Sequence, residues 1–166
     1  MGNVNGPEES GSRGNFAFTT INLPMLAIEA NKDVSKFFEL FDKYIQLAHD
    51  YLLDRFNIIC QKHVYNFPFL MGQYVYMDSD KLKQDDTLES VLKHASLSIG
   101  FVGLAECLIA LIGEHHGQSQ KAQQLGYLII SHLRAVTDKY IKEEKLNRST
   151  FSSPKLWDFK LINLKI

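Results

Sequence analysis

The stretch 95-ASLSIGFVGLAECLIALIGEHHG-117 decides how this chain is read, because it is the most apolar part and its hydrophobic period changes midway. Its length approaches the roughly 20 consecutive apolar residues of a membrane span. Against that reading, Glu106 would sit near mid-bilayer at a cost of roughly 2.5–3.5 kcal/mol, and Ser96, Ser98, Gly100 and Gly103 dilute the run. Ala95, Leu97, Ile99 and Phe101 alternate with Ser96, Ser98 and Gly100, the two-residue repeat of a strand. From Gly103 onward Leu104, Cys107, Leu108, Leu111 and Ile112 fall at helical spacing, and Gly113 is placed to end the helix. The run therefore reads as a buried strand leading into a buried helix. Cys107, Leu108 and Ile109 leave that helix little polar face, so Glu106 is expected to be buried or half-buried and paired, an unpaired buried carboxylate being costly.

At 166 residues the chain is one domain by the usual span of about 100–200 residues. Apolar residues make up 45% and charged residues 22%, an ordinary soluble composition. The net charge is -1, with Lys and Arg spread along the helices, which gives no nucleic-acid footprint. Cys60 and Cys107 form no CxxC pair and read as free thiols of a cytoplasmic protein, with no metal site expected. The polar start leaves no apolar core for a signal peptide.

Residues 1–14, MGNVNGPEESGSRG, read as a flexible loop. Phe16, Phe18 and Thr20 alternate with Ala17, Thr19 and Ile21 as a strand. Asn22 then caps a short helix to about Ala30, with Pro24 in its first turn. From Asp33 to about His63 the apolar stripe of a long helix includes Phe37, Phe41, Ile45, Tyr51, Leu52 and Phe56, a core face; His49 and His63 sit alone. Asn66–Gly72 breaks that helix and supplies apolar residues to cover an opening, followed by an edge strand over Gln73–Met77. Asp86 and Glu89 are spaced as a capping box for a helix through about His94. Glu114-His115-His116-Gly117 invites a metal reading, but adjacent histidines diverge on a helix, so a polar loop is expected. A second long helix starts at Ser119, burying Ala122, Leu125, Leu128, Ile129, Leu133, Val136, Tyr140 and Ile141; Gly126 marks a close approach and Lys142–Lys145 a solvated end. Arg148–Ser153 reads as a strand. Strands alternating with helices indicate α/β units with a parallel sheet.

The wording SLSIGFVGLAE, then LIGEHHG and Ala-Gln-Gln-Leu-Gly at 122–126, resembles the catalytic domain of the anaerobic, class III ribonucleotide reductases, which are glycyl-radical enzymes. A second stretch, 14-GNFAFTTINLPMLAIEA-30, matches the same family in the same order. The resemblance implies an α/β fold, a partial slice of a ten-stranded α/β barrel with about three parallel strands and long covering helices. It divides the chain into the loop at 1–14, a partial barrel domain at 15–153 and a divergent tail at 154–166. It further implies an oxidoreductase that reduces ribonucleoside triphosphates to deoxyribonucleotides for DNA synthesis. A glycyl radical made by an S-adenosylmethionine-dependent activating enzyme, ATP and deoxynucleotide effectors, and a zinc site belong to the family. No cofactor is expected on these residues themselves, nor a nucleic-acid or membrane partner. Asn15 falls on an asparagine that in the family lies near the ribose, where aerobic reductases use a glutamate. It is the one residue assigned here to catalysis. Ser152 and Ser153 fall at the family's phosphate loop, but after Pro154 the sequence turns to KLWDFKLINLKI and matches nothing in it. They are expected to bind no triphosphate.

That tail is either an amphipathic end-piece or the product of a shifted reading frame. The radical cysteine, radical glycine, ATP cone and four-cysteine zinc site have no counterpart among these residues, so the chain by itself is expected to be inactive. The alternative to a reductase fragment is a small non-catalytic α/β protein, either a binding module or a degraded-gene product.

Overall fold

The computed structural model describes residues 14–144 and 146–152; of the side chains at 147–149, 151 and 152 nothing is described. The sequence expectations for residues 1–13, for Lys145, for Ser153 and for the tail at 154–166 lie outside the described residues.

Three strands form one sheet in the order β1 (Asn15–Asn22), β2 (Ser96–Val102), β3 (Asn147–Ser152). β1 and β2 pair in parallel. Parallel strands require a long crossover, and the chain between them supplies α1 (Leu23–Ala30), α2 (Val34–Cys60), α3 (Pro68–Gly72) and α4 (Glu89–Leu92). α5 (Leu104–Ile112) and α6 (Gln120–Glu144) follow β2. The architecture is mixed α/β. β2 is covered on both faces from Leu97 to Phe101, as central parallel strands are. The alternation of Ser98 and Gly100 with larger residues therefore records size, not exposure.

The described residues fall into two compact units, 14–19 with 49–98 and 136–149, and 20–48 with 99–135 and 150–152. In the second unit α1 packs on α5. Asn22 Oδ1 accepts from the Met25 amide at 3.2 Å, which fixes the start of α1 as the sequence indicates. Asp33 and Ser119 cap the next helices, accepting from the amides of Lys36 and Ala122. Leu104, Cys107, Leu108 and Leu111 are the buried face of α5, and each buried leucine contributes about 1.5–3 kcal/mol. Gly126 is buried, and a Cβ there would lie 3.3 Å from Leu108 Cδ1, so α6 approaches α5 closely at this point.

Glu106 departs from expectation. It is exposed, together with Ile109, although the helix that carries it is in the core. Successive residues are turned about 100° around a helix, so apolar neighbours in sequence do not share a face with Glu106. In the first turn its carboxylate also meets the positive end of the helix dipole. By the same geometry Leu128 and Tyr51, assigned to buried stripes, lie at 56% and 50% exposure. Tyr51 instead accepts a hydrogen bond from Arg55, one turn on.

The first unit holds three further corrections. Gln73–Met77 is a series of turns and not a strand, with Tyr74 in the left-handed region at φ 53. Asp86 and Glu89 do not form a capping box, since α4 starts after Leu88 without a side-chain cap. Asp86 Oδ2 accepts from the Lys83 amide at 2.8 Å, closing its own turn. His49 is not alone: it is buried, with Nδ1 3.0 Å from Asp50, Nε2 2.6 Å from Glu144 of α6, and its ring 3.8 Å from that of Tyr140.

Gly103 and Gly113 bracket α5, both left-handed at φ 77 and 84. A Cβ at Gly103 would fall 2.4 Å from Pro24 Cγ, whereas one at Gly113 would meet nothing within 4 Å. Gly113→Ala is expected to cost about 1–2 kcal/mol, the left-handed penalty alone. Gly103→Ala adds about 1–3 kcal/mol of overpacking. Urea unfolding of the two variants tests this, and equal losses would contradict the contact.

Candidate functional site

Asn15 opens β1 and is exposed. Its amide lies against β2, where Ser98 Oγ is 3.1 Å from Oδ1. An amide's oxygen and nitrogen are assigned from their surroundings. The assignment that satisfies both ends turns Nδ2 toward the carbonyls of Ser96 at 2.8 Å and Ala17 at 3.2 Å, and leaves the oxygen accepting from Ser98 Oγ at 3.2 Å. One residue earlier, the Gly14 carbonyl accepts from the Ser96 amide at 3.2 Å and from Ser96 Oγ at 3.3 Å. Gly14 is left-handed at φ 66, and a Cβ there would stand 3.0 Å from Tyr76 Cε1. The glycine thus lets the tyrosine ring close on the backbone immediately before Asn15.

This arrangement holds a neutral carboxamide in one orientation at the end of a strand, with both kinds of polar atom engaged by the neighbouring strand. A carbonyl oxygen has two lone pairs, so the Asn15 oxygen can take a hydrogen bond from a ligand hydroxyl while keeping Ser98. The buried hydroxyl of Ser98 and the partly exposed one of Ser96 are the partners that sequence reasoning passed over. Their signal was present in Ser-Leu-Ser, two hydroxyls on the side of the strand that continues with Gly100, opposite the large apolar Leu97, Ile99 and Phe101. Ser152 ends β3, and its side chain is not described; Ser153 lies outside the described residues.

His115 Nδ1 accepts from the Gly117 amide at 3.0 Å, and the His115 amide donates to Gln118 Oε1 at 2.9 Å. The histidine pair belongs to a polar loop, as its spacing suggests. Among the described residues no three His, Cys, Asp or Glu side chains converge on a point where a metal could bind. No described helix is long and apolar enough to cross a membrane.

Neither thiol is a poised nucleophile. Burial pushes Cys107 up to about 12, and burial together with the Glu89 carboxylate pushes Cys60 up to about 11. Both stay protonated at neutral pH, and the thiolate is the reactive form. Since each folded pKa lies above the ordinary value of 9.0, the stability they contribute is full below pH 9 and declines as the pH rises toward 11–12. Iodoacetamide at pH 8 is expected to leave both unmodified in the native chain and to label both in urea. Native labelling of Cys107 would contradict its burial.

The family model described as anaerobic ribonucleoside-triphosphate reductase matches residues 2–155. The chain is 31% identical over 158 residues to the anaerobic ribonucleoside-triphosphate reductase of Salmonella typhimurium and 30% identical to that of Escherichia coli, in each case over 92% of this chain and 22% of the relative. The reductase of that name from Haemophilus influenzae is 26% identical over 90% of this chain and 21% of its own length. The chain thus spans about a fifth of the length of these relatives. With the match running through β1, β2 and the helices between and after them, the chain belongs to the anaerobic ribonucleoside-triphosphate reductase family.

Proposed function

We propose that this chain forms part of the substrate-bearing domain of an anaerobic ribonucleoside-triphosphate reductase, a slice of the family's ten-stranded barrel. In this reading ribonucleoside triphosphates are the substrates, and an S-adenosylmethionine-dependent enzyme is the activating partner. The glycyl radical of the family supplies the one-electron chemistry. Its zinc site calls for thiolate ligands, which the buried, protonated Cys60 and Cys107 do not fit, so no step here runs through zinc.

The observation that supports the reading is the Asn15 amide, held by Ser96, Ala17 and Ser98 at the start of β1, within a chain whose family match covers nearly its whole length. Asn15 is the proposed catalytic residue, accepting a hydrogen bond from a ribose hydroxyl through its carbonyl oxygen. A neutral amide does not remove the proton; it fixes the hydroxyl's direction. The hydrogen bonds from β2 fix the amide in turn, so no reorientation is needed as charge shifts on the sugar. Phosphate binding falls to groups other than Ser152 and Ser153.

Asn15→Ala and Asn15→Asp, made in the radical-activated full-length enzyme that carries this segment, test the assignment. Asn15→Ala is expected to lower anaerobic turnover by roughly 10²–10³-fold, the range for loss of one preorganised hydrogen-bonding group, while its thermal midpoint stays close to the parent's. Turnover within threefold of the parent would remove Asn15 from the mechanism.

A further inference from the structure

The three atoms closest to a Cβ built on Gly14 all belong to the Tyr76 ring, Cε1 at 3.0 Å, Cδ1 at 3.8 Å and Cζ at 3.9 Å. The edge of the ring therefore fills the space that a side chain at residue 14 would take. The ring is also a wall of a cleft of about 280 Å³ whose other lining residues are Gly14, Phe69, Leu70, Gln73 and Val75. Removing the ring would enlarge that open space and leave the Gly14 backbone without support on this side.

The turn that presents the ring is itself held in place. The Tyr76 carbonyl accepts from the Ser79 amide at 3.1 Å and from Ser79 Oγ at 2.6 Å, and Ser79 is buried. Tyr74 and Asp78 are both left-handed, at φ 53 and 65, a conformation that a residue other than glycine keeps only where its surroundings over-determine it. For Asp78 those surroundings are Lys81 at 2.5 Å and the buried His94 at 3.4 Å. His94 directly precedes the Ala95-Ser96 entry to β2, so the turn is tied to the strand that holds Asn15.

The contact reaches Asn15 by two routes. One is the peptide group that joins Gly14 to Asn15. The other runs through β2: Ser96 donates to the Gly14 carbonyl from its amide and its hydroxyl, and the Ser96 carbonyl accepts from Asn15 Nδ2 at 2.8 Å. Ser96 thus grips both the backbone before Asn15 and the Asn15 side chain, and the Tyr76 ring limits how far that backbone can move. We propose that Tyr76 is a positioning residue for the reaction: its ring edge, fixed through Ser79, keeps the Gly14–Asn15 peptide seated on β2 and so keeps the Asn15 carboxamide aimed, without touching substrate. This inference rests on the ribose-binding reading of Asn15 for its effect on turnover, and on geometry alone for its effect on the hydrogen bonds between β1 and β2.

The effect on turnover is read in the radical-activated full-length enzyme. Tyr76→Ala is expected to lower kcat by roughly 10- to 100-fold with KM nearly unchanged, since misplacing a reacting group by about 1 Å can cost about 10²-fold. Tyr76→Phe keeps every ring atom that touches Gly14 and is expected to restore kcat. The effect on the hydrogen bonds is read in the chain itself, by NMR of solvent exchange at the Ser96 amide and the Asn15 side-chain amide. Both are expected to exchange several-fold faster in Tyr76→Ala and at the parent's rate in Tyr76→Phe, while the amide of Leu52, buried in α2, keeps its protection. Should Tyr76→Ala lose the Leu52 protection as well, Tyr76→Leu takes its place, a side chain that keeps the Cδ atoms and lacks the Cε1 and Cζ that reach Gly14. Unchanged exchange at Ser96 and Asn15 in the folded variant, a loss of kcat that Tyr76→Phe does not restore, or a raised KM with the parent's kcat would overturn the proposal. A fully active Asn15→Ala enzyme with faster exchange in Tyr76→Ala sinks the ribose reading alone, whereas an inactive Asn15→Ala enzyme with a Tyr76→Ala enzyme at the parent's kcat sinks the role of Tyr76 alone.

Discussion

Everything proposed for this chain depends on the seam between β1 and β2 at its Gly14–Asn15 end. There the backbone ladder of a parallel pair is doubled by side chains: Ser96 bonds the Gly14 carbonyl through both its amide and its hydroxyl, and the Asn15 amide spans the Ser96 carbonyl and the Ser98 hydroxyl. A buried polar group left unmatched costs about 1–3 kcal/mol. Ser98 is 2% exposed, so the seam is held to one arrangement by the expense of any other. That constraint turns a sequence of small polar residues into an oriented functional group.

The two units obtain their rigidity in different ways. In the second, small residues permit close helix contacts, with Gly103 against Pro24 and Gly126 against Leu108, and His132 of α6 pairs with Asp42 of α2. In the first, polar links do more. His49 connects α2 to Glu144 of α6, and His63 Nδ1 lies 2.8 Å from the Asp85 carbonyl, beside a bridge from His63 to Thr87.

The central run could be read correctly because its period changes where the backbone changes, at Gly103, and because Gly113 ends the helix in the left-handed conformation that glycine adopts most readily. The Asn22 cap was equally legible, since a capping bond spans only three residues. What could not be read depends on partners distant in sequence. His49 meets Glu144 across 95 positions and Asn15 meets Ser98 across 83. Glu106 was misplaced by treating chain neighbours as face neighbours. The Gln73–Met77 turn was misread because Tyr, Val and Tyr have strand propensity, which a left-handed Tyr74 overrides. No local pattern announces a cleft, so Phe69 and Leu70 could be recognised as covering residues without showing what they surround. The family resemblance pointed to Asn15, and the structure adds the strand that holds it.

The central claim is that β2 orients Asn15 for the ribose, and Ser98→Ala in the full-length radical-activated enzyme tests it most directly. Ser98 is proposed as a positioning residue that acts through the asparagine and touches no substrate. The account predicts a fall in kcat with little change in KM, and recovery in Ser98→Thr, which restores the hydroxyl. A Ser98→Ala enzyme with the parent's kcat, or a loss that Ser98→Thr does not recover, would contradict it.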